Sequence, residues 1–325
     1  LTIRNQNGLP LAGAACLRDE LERLYREYNR PEWISPDPLE CVIPFGNTRD
    51  REIAALVASS LAYGRVRQIL KSVRKVLDRL GESPRLALEN STRPQLERDF
   101  SSFRHRFTSG EDLVDLLWGA RKLCLRHGGL ESAFLSGSAP GETYVNELEL
   151  FIRSLEEEGG AKRKNSLLCR PSWGSACKRH WLFLKWMIRS DAVDPGGWSR
   201  CDPARLVIPL DTHMHRIGRA LAFTRRNAAD LKSAMEITRS FRVIAPRDPT
   251  RYDFVLTRFG IREDLSWEDL LRGCKAAAGR VDLPEDRHSG QEEEGEGQGS
   301  VAGRPRKLQD RGEQGRARDP RELAG

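Results

Sequence analysis

Apolar residues recur at steps of three and four along nearly the whole chain, the spacing that lines them up on one face of a helix. Leu17, Leu21, Leu24 and Tyr28 follow it near the start. Between residues 50 and 80 there are two such sets, one from Ile53 to Leu61 and one from Val66 to Leu80. The break between them is AYGR, where Gly64 is free to adopt the left-handed conformation that ends one helix and lets the next begin. Three amphipathic helices are predicted here. Ser109, with Asp112 three residues later, has the form of a capping box opening EDLVDLLWGARKLCLRH, and Gly128-Gly129 closes that helix. TYVNELELFIRSLEEE predicts another, followed by a polar connection over 159–166. Helices over 177–189, 212–223, 228–242 and 252–259 complete the set, the third preceded by a loop capped at Asn227. Alternation of the strand kind is confined to RLVIPL at 205–210, where Pro209 would restrict a strand to an edge. The expected fold is all-α and multi-helical, with residues 1–281 in two intimately packed lobes. Residues 282–325 hold almost no large apolar side chains and read as a disordered polar tail.

Charge sharpens this division. The 325-residue chain carries +7 overall, but residues 1–281 hold 46 basic against 36 acidic side chains, and the tail is net acidic. An excess of +10 in the helical region favours a polyanionic partner, because Lys and Arg that neutralise phosphates release counterions. No apolar run approaches the roughly 18 residues of a membrane span, 53–61 being among the longest. The opening LTIRNQNGLPLAGAAC is too weakly apolar for a signal peptide. Seven cysteines, odd in number and never spaced C-x-x-C, argue against a disulfide framework or a sulfur-rich metal site. A reduced cytoplasm is the expected location.

Two segments concentrate the candidate chemistry. In RPSWGSACKRHWLFLKWMIRSD, Gly174 and Ser175 precede a helix whose positive end suits a phosphate, and Lys178 lies in its first turn, against helix preference. The bland alternative is a surface lysine. Asp211 stands 33 residues further on and opens THMHRIGRALAF. It reads first as an N-cap, a role compatible with that of a fixed catalytic anion. His215 and Arg219 share a face beside Arg216, a basic stripe suited to phosphate. His213 and His215 are two apart and point different ways, so no metal pair is expected. Trp181, Trp186 and Trp198, with Trp173, are expected mainly in the core, Cys177 as a small buried residue, and Tyr252-Asp253 as part of a turn.

LDTHMHRIGRAL resembles the signature of the helix-hairpin-helix DNA glycosylases, with Leu210, Asp211, Thr212, His213 and Arg216 matching position by position. REIAALVASSLAYGRVRQI is similar to that superfamily's N-terminal helix pair, with Tyr63 near its intercalating position, and GSACKR matches at Gly174 and Lys178. LAYGRVRQI, GSACKR, LFLKWMIR, IPLDTH and DPTRYDF together look more narrowly like the bacterial family named domain of unknown function 2400. Two departures stand out: PSWGSACK keeps only the first hairpin glycine in register, and SDAVDPGGWSRCDP lengthens the path from Lys178 to Asp211 as a loop insertion.

The resemblance implies base excision from double-stranded DNA, with RNA a further option, by a monomer. Lys178 would be the amine nucleophile, forming a Schiff base that also permits strand cleavage, and Asp211 the catalytic carboxylate. Tyr63 would fill the vacated stack. Arg65, Arg67, Arg179, Arg216 and Arg219, with Gly174, Ser175 and His213, would meet the nucleic acid. No cofactor is expected, since Cys274 alone cannot hold the C-terminal iron-sulfur cluster of some members. The rival expectation is a catalytically silent nucleic-acid-binding protein on the same scaffold; a third is an interaction protein whose basic face meets an acidic one.

Overall fold

The structure, a computed structural model, describes residues 11–137, 140–161 and 163–279; the tail expected from residue 282 lies outside them. Among the described residues the chain is helical apart from one two-residue hairpin. The order is α1 (Leu11–Tyr28), α2 (Thr48–Ser60), α3 (Val66–Leu80), α4 (Pro84–Asn90) and α5 (Arg93–Asp99), then β1 (Arg104–His105) and β2 (Thr108–Ser109). There follow α6 (Gly110–His127), α7 (Leu130–Leu135), α8 (Val145–Gly159), α9 (Lys178–Ile188), α10 (Thr212–Ala220), α11 (Leu231–Ile244), α12 (Asp253–Ile261) and α13 (Trp267–Ala277). The described residues fall in one compact unit. No helix among them is long and apolar enough to cross a membrane.

The expected capping devices are present. Ser109 and Asp112 exchange the two bonds of a capping box, and Gly128 ends α6 in the left-handed region at φ 82°. Gly64 has φ 95° at the break after α2. α2 departs from its amphipathic reading: Ile53 to Ala58 are all wholly buried, so this stretch of the helix is enclosed on every side and lies in the interior. It packs against α9, whose Trp181, Phe183, Leu184, Trp186 and Met187 are buried with it. Trp198 is buried too, and Trp173 is the exposed member of the four tryptophans.

Other expectations shift at their ends. α10 stops at Ala220 because the chain turns at Ala222, at φ 55°. α11 is capped by Asp230, which accepts from Ser233 N at 2.9 Å, rather than by Asn227. Arg205 ends a 3-10 turn over Pro203–Arg205, and residues 206–210 pair with no strand; Ile208 N donates instead to Thr238 Oγ1 at 3.0 Å. The connection over 159–166 is anchored by Asn165, buried and donating to the Asp112 carbonyl at 2.8 Å. Helices α4, α5 and α7 are too short for an apolar period to show, and neither they nor α13 and the hairpin were expected from spacing.

The segment between α9 and α10 is tied down by charge. Lys185, buried on α9, meets Asp194 at 3.0 Å and Asp253 at 3.5 Å. Arg189 pairs with Asp194, with Asp191 at 2.8 Å and with Asp248 at 2.9 Å. Tyr25 of α1 donates to Asp191 at 2.8 Å. One ionic cluster thus joins α1, α9, α12 and the segment between α9 and α10.

α6 and α8 approach backbone to backbone. A methyl group on Gly119 would fall 2.2 Å from the Leu155 carbonyl oxygen, and one on Gly159 2.4 Å from that of Asp115. Gly119→Ala should therefore cost about 1–3 kcal/mol by overpacking, despite alanine's better helix propensity. Urea denaturation checks this, and unchanged or raised stability would show that the pair separates freely.

Candidate active site

The site begins with a turn that aims the first residue of α9. Gly174 and Cys177 both have positive φ, 77° and 48°, and Cys177 N donates to Ser175 Oγ at 3.2 Å. No side chain caps the helix at Cys177, and Lys178 projects from its first position. α10 starts differently. Asp211 Oδ1 accepts from Met214 N at 2.8 Å as a helix cap, while Oδ2 lies 3.9 Å from Lys178 Nζ. One oxygen serves the helix and the other faces the lysine. Both side chains are partly exposed, 32% for Lys178 and 20% for Asp211, so the pair is open to a ligand.

The pair borders a cavity of about 270 Å³ with apolar walls from Val66, Ile69, Leu182 and Ile261. Its polar lining includes His213, Asp253 and Arg258. His213 is held against α12: a methyl group on Gly260 would fall 2.1 Å from its Nδ1, so only glycine permits this approach. A second cavity of about 350 Å³, lined by Cys169, Gly174, Ser175 and Asp230, shares Lys178 and Tyr63 with the first. Lys178 stands between the two.

Asp253 is the residue that sequence reading passed over as part of a turn. It is buried, Oδ2 faces Lys185, and Oδ1 has no hydrogen-bond partner. Burial raises its carboxyl pKa, Lys185 pulls it down, and the charge of Asp211 raises it further. Arg258, also buried, is committed to Asp37 Oδ2 at 2.6 Å. Nothing in the local sequence distinguishes these two from ordinary residues of α12.

The expected nucleic-acid contacts divide. Arg65 and Arg67 are exposed at the start of α3. Arg219 is exposed without a partner among the described residues, and Arg216 is exposed with its guanidinium 4.3 Å above the Trp267 ring. Arg179 turns inward: it donates to the carbonyls of Ser60 at 2.8 Å and Ser166 at 2.5 Å, and burial lowers its pKa. It braces α2 against α9 rather than facing a phosphate. Gly174 is exposed, but its carbonyl accepts from Leu231 N at 3.1 Å, and Ser175 bridges to Asp230, so this turn is docked on the start of α11. Tyr63 is likewise held: its hydroxyl lies 2.6 Å from Thr108 Oγ1 and 2.8 Å from the His105 carbonyl oxygen. The ring free to project is Phe107, 63% exposed at the hairpin tip and stacked on Tyr63 at 4.8 Å.

A family model described as protein of unknown function, DUF2400, matches residues 37–262, more than half of the chain. The chain belongs to that family. Nothing among curated proteins or solved structures matches it. The DUF2400 span takes in Tyr63, Lys178, Asp211, Asp253 and Arg258, so the polar groups of the cavity are part of the shared domain.

His180 adds a pH response to this DUF2400 domain. It is fully enclosed two residues after Lys178, and burial, with the charge of Arg179, pushes its pKa down from 6.5 to about 3. The folded state keeps it neutral where the unfolded chain binds a proton. Its contribution is therefore complete above pH 6.5 and is lost as pH falls toward 3. The slope approaches about 1.4 kcal/mol per pH unit for one proton. Denaturation curves across that range should show a shallower slope for His180→Gln than for the wild type; equal slopes would place the proton uptake elsewhere.

Proposed function

We propose that this DUF2400 chain excises bases from DNA, with Lys178 as an amine nucleophile and Asp211 as its carboxylate partner. The observation that carries the reading is the approach of Lys178 Nζ to Asp211 Oδ2, 3.9 Å, at the border of a cavity of about 270 Å³. That volume suits one base turned out of a duplex, and the apolar walls suit its faces. The likeness of the 210–216 segment to the DNA glycosylase signature supports the same assignment, as does the exposed set Arg65, Arg67, Arg216 and Arg219.

In this reading the Lys178 amine gives its proton to Asp211 and attacks the anomeric carbon. The glycosidic bond breaks, and its electron pair leaves with the base, which takes up a proton. The ring C–O bond then breaks, its electron pair staying on the oxygen, which takes the proton lost from nitrogen and becomes a hydroxyl, and the Schiff base is left. Asp211 passes the proton it took from Lys178 to the departing base and, as a carboxylate again, stabilises through Oδ2 the positive charge that develops on the sugar, while Oδ1 stays bonded to the start of its helix. Phe107, rather than the tethered Tyr63, fills the space that the base leaves. Asp253, which lines the cavity and whose Oδ1 has no hydrogen-bond partner, offers a polar group for reading the base's edge.

Borohydride reduces a Schiff base to a stable amine, so the wild type should become covalently attached to DNA containing an abasic or damaged site. Lys178→Gln should bind the same DNA and fail to attach. Equal attachment in the variant would assign the chemistry to another amine. Attachment by neither, with binding retained, would favour the silent binder.

Asp211 allows its two roles to be separated. Asn also caps helices well, so Asp211→Asn should stay within about 1 kcal/mol of wild-type stability. Turnover should fall about a hundredfold or more, the scale of losing one electrostatic group from a preorganised site. Near-normal turnover in a folded variant would leave Asp211 as a cap alone.

A further inference from the structure

Cys169 and Cys177 stand eight positions apart on either side of the turn that delivers Lys178. The Cys177 thiol donates to the Cys169 carbonyl at 3.3 Å, and both residues line the second cavity. Cys169 is partly exposed there, whereas Cys177 is buried. The remaining cysteines offer no comparable arrangement: Cys16 is exposed, and Cys41, Cys124, Cys201 and Cys274 are buried. We propose that Cys169 and Cys177 are a peroxide-reactive thiol pair whose closure to a disulfide reshapes the turn carrying Lys178.

The electrostatics suit this order of events. The neighbouring Cys177 thiol is the largest influence lowering the Cys169 pKa, which falls to about 6 despite burial. The Ser175 hydroxyl and the charges of Arg179 and Lys164 act in the same direction. Cys177 is pushed the opposite way by the Cys169 side chain and by burial. Cys169 is thus the thiolate and attacking sulfur, and Cys177 the resolving thiol. The thiolate attacks one oxygen of hydrogen peroxide, the O–O bond breaks, and the departing hydroxide takes a proton to become water, leaving a sulfenic acid on Cys169. The Cys177 sulfur then attacks that sulfur, the S–O bond breaks, and its thiol proton leaves with the hydroxyl as a second water. Two thiols and one peroxide become one disulfide and two waters.

Closure would have a local consequence. Cys177 has φ 48°, a conformation unusual for a residue with a side chain, and its thiol bond to the Cys169 carbonyl helps to hold it. Forming the S–S bond removes that hydrogen bond and draws the turn over 170–176 together, immediately before Lys178. The proposal does not depend on base excision.

The full chain would be treated with hydrogen peroxide, its remaining thiols alkylated, and its peptides mapped by mass. The expected product is a peptide pair joined through Cys169 and Cys177, restored to free thiols by dithiothreitol. Cys169→Ser and Cys177→Ser should each abolish it, and peroxide should then stop at a sulfenic or higher acid on Cys169 in Cys177→Ser. In the same samples, acetic anhydride labelling of Lys178 should change about threefold or more on oxidation, relative to exposed Lys71, since amine reactivity follows local charge and burial. Full alkylation of both cysteines under conditions that oxidise Cys16 would overturn the pair. A disulfide that leaves Lys178 labelling unchanged would overturn its effect on the turn.

Discussion

A lysine ammonium enclosed in the apolar side of α9 constrains most of what surrounds it. Lys185 is almost wholly buried, and a charge in such a place is tolerated only if opposite charges are brought to it. Asp194 comes from the segment after α9 and Asp253 from α12, so neutralising one side chain requires two further pieces of chain to pack on α9. Arg189, one turn further on, recruits Asp248 and Asp191, and through Asp191 the hydroxyl of Tyr25 on α1. The net effect is a rigid platform beneath α9, with Lys178 at the helix's other end.

The platform also explains how residues 33 positions apart meet. α9 runs from Lys178 inward, and the segment returning from Asp194 brings the chain back to Asp211. There α10 begins against α12, at the separation that Gly260 allows. Asp253 then belongs to both systems: one carboxylate oxygen faces the ionic cluster, and the residue lines the cavity that Asp211 borders. A charge network built for packing therefore reaches the edge of the site, and burial raises the pKa of Asp253, with Lys185 pulling it down and Asp211 pushing it up.

Tertiary packing also decides which cationic and aromatic groups stay accessible. Arg179 and Arg219 have the same chemistry, yet one is spent on two backbone carbonyls and the other meets solvent. Tyr63 and Phe107 form a stacked pair in which the tethered ring supports the exposed one. Stacking on a tethered ring lowers the cost of ordering an exposed one on binding.

Local rules were sufficient for much of the architecture. The three-and-four spacing located most of the long helices, Ser109 with Asp112 and Gly128 marked the ends of α6, and Asp211 was legible as a cap, because each depends on neighbours within about one turn. The two residues singled out for chemistry, Lys178 and Asp211, were legible for the same reason: a lysine at a helix start and an aspartate opening the next are visible in the chain itself. Contacts across long separations were not. The all-round burial of α2, the inward turn of Arg179, the docking of Gly174 on α11 and the place of Asp253 in the cavity wall depend on residues tens to hundreds of positions away. Short helices such as α4 and α7 fell below the length at which a period shows, and their stability comes from what they pack against. Spacing reports which face of a helix is apolar; only the assembled core decides what each face meets.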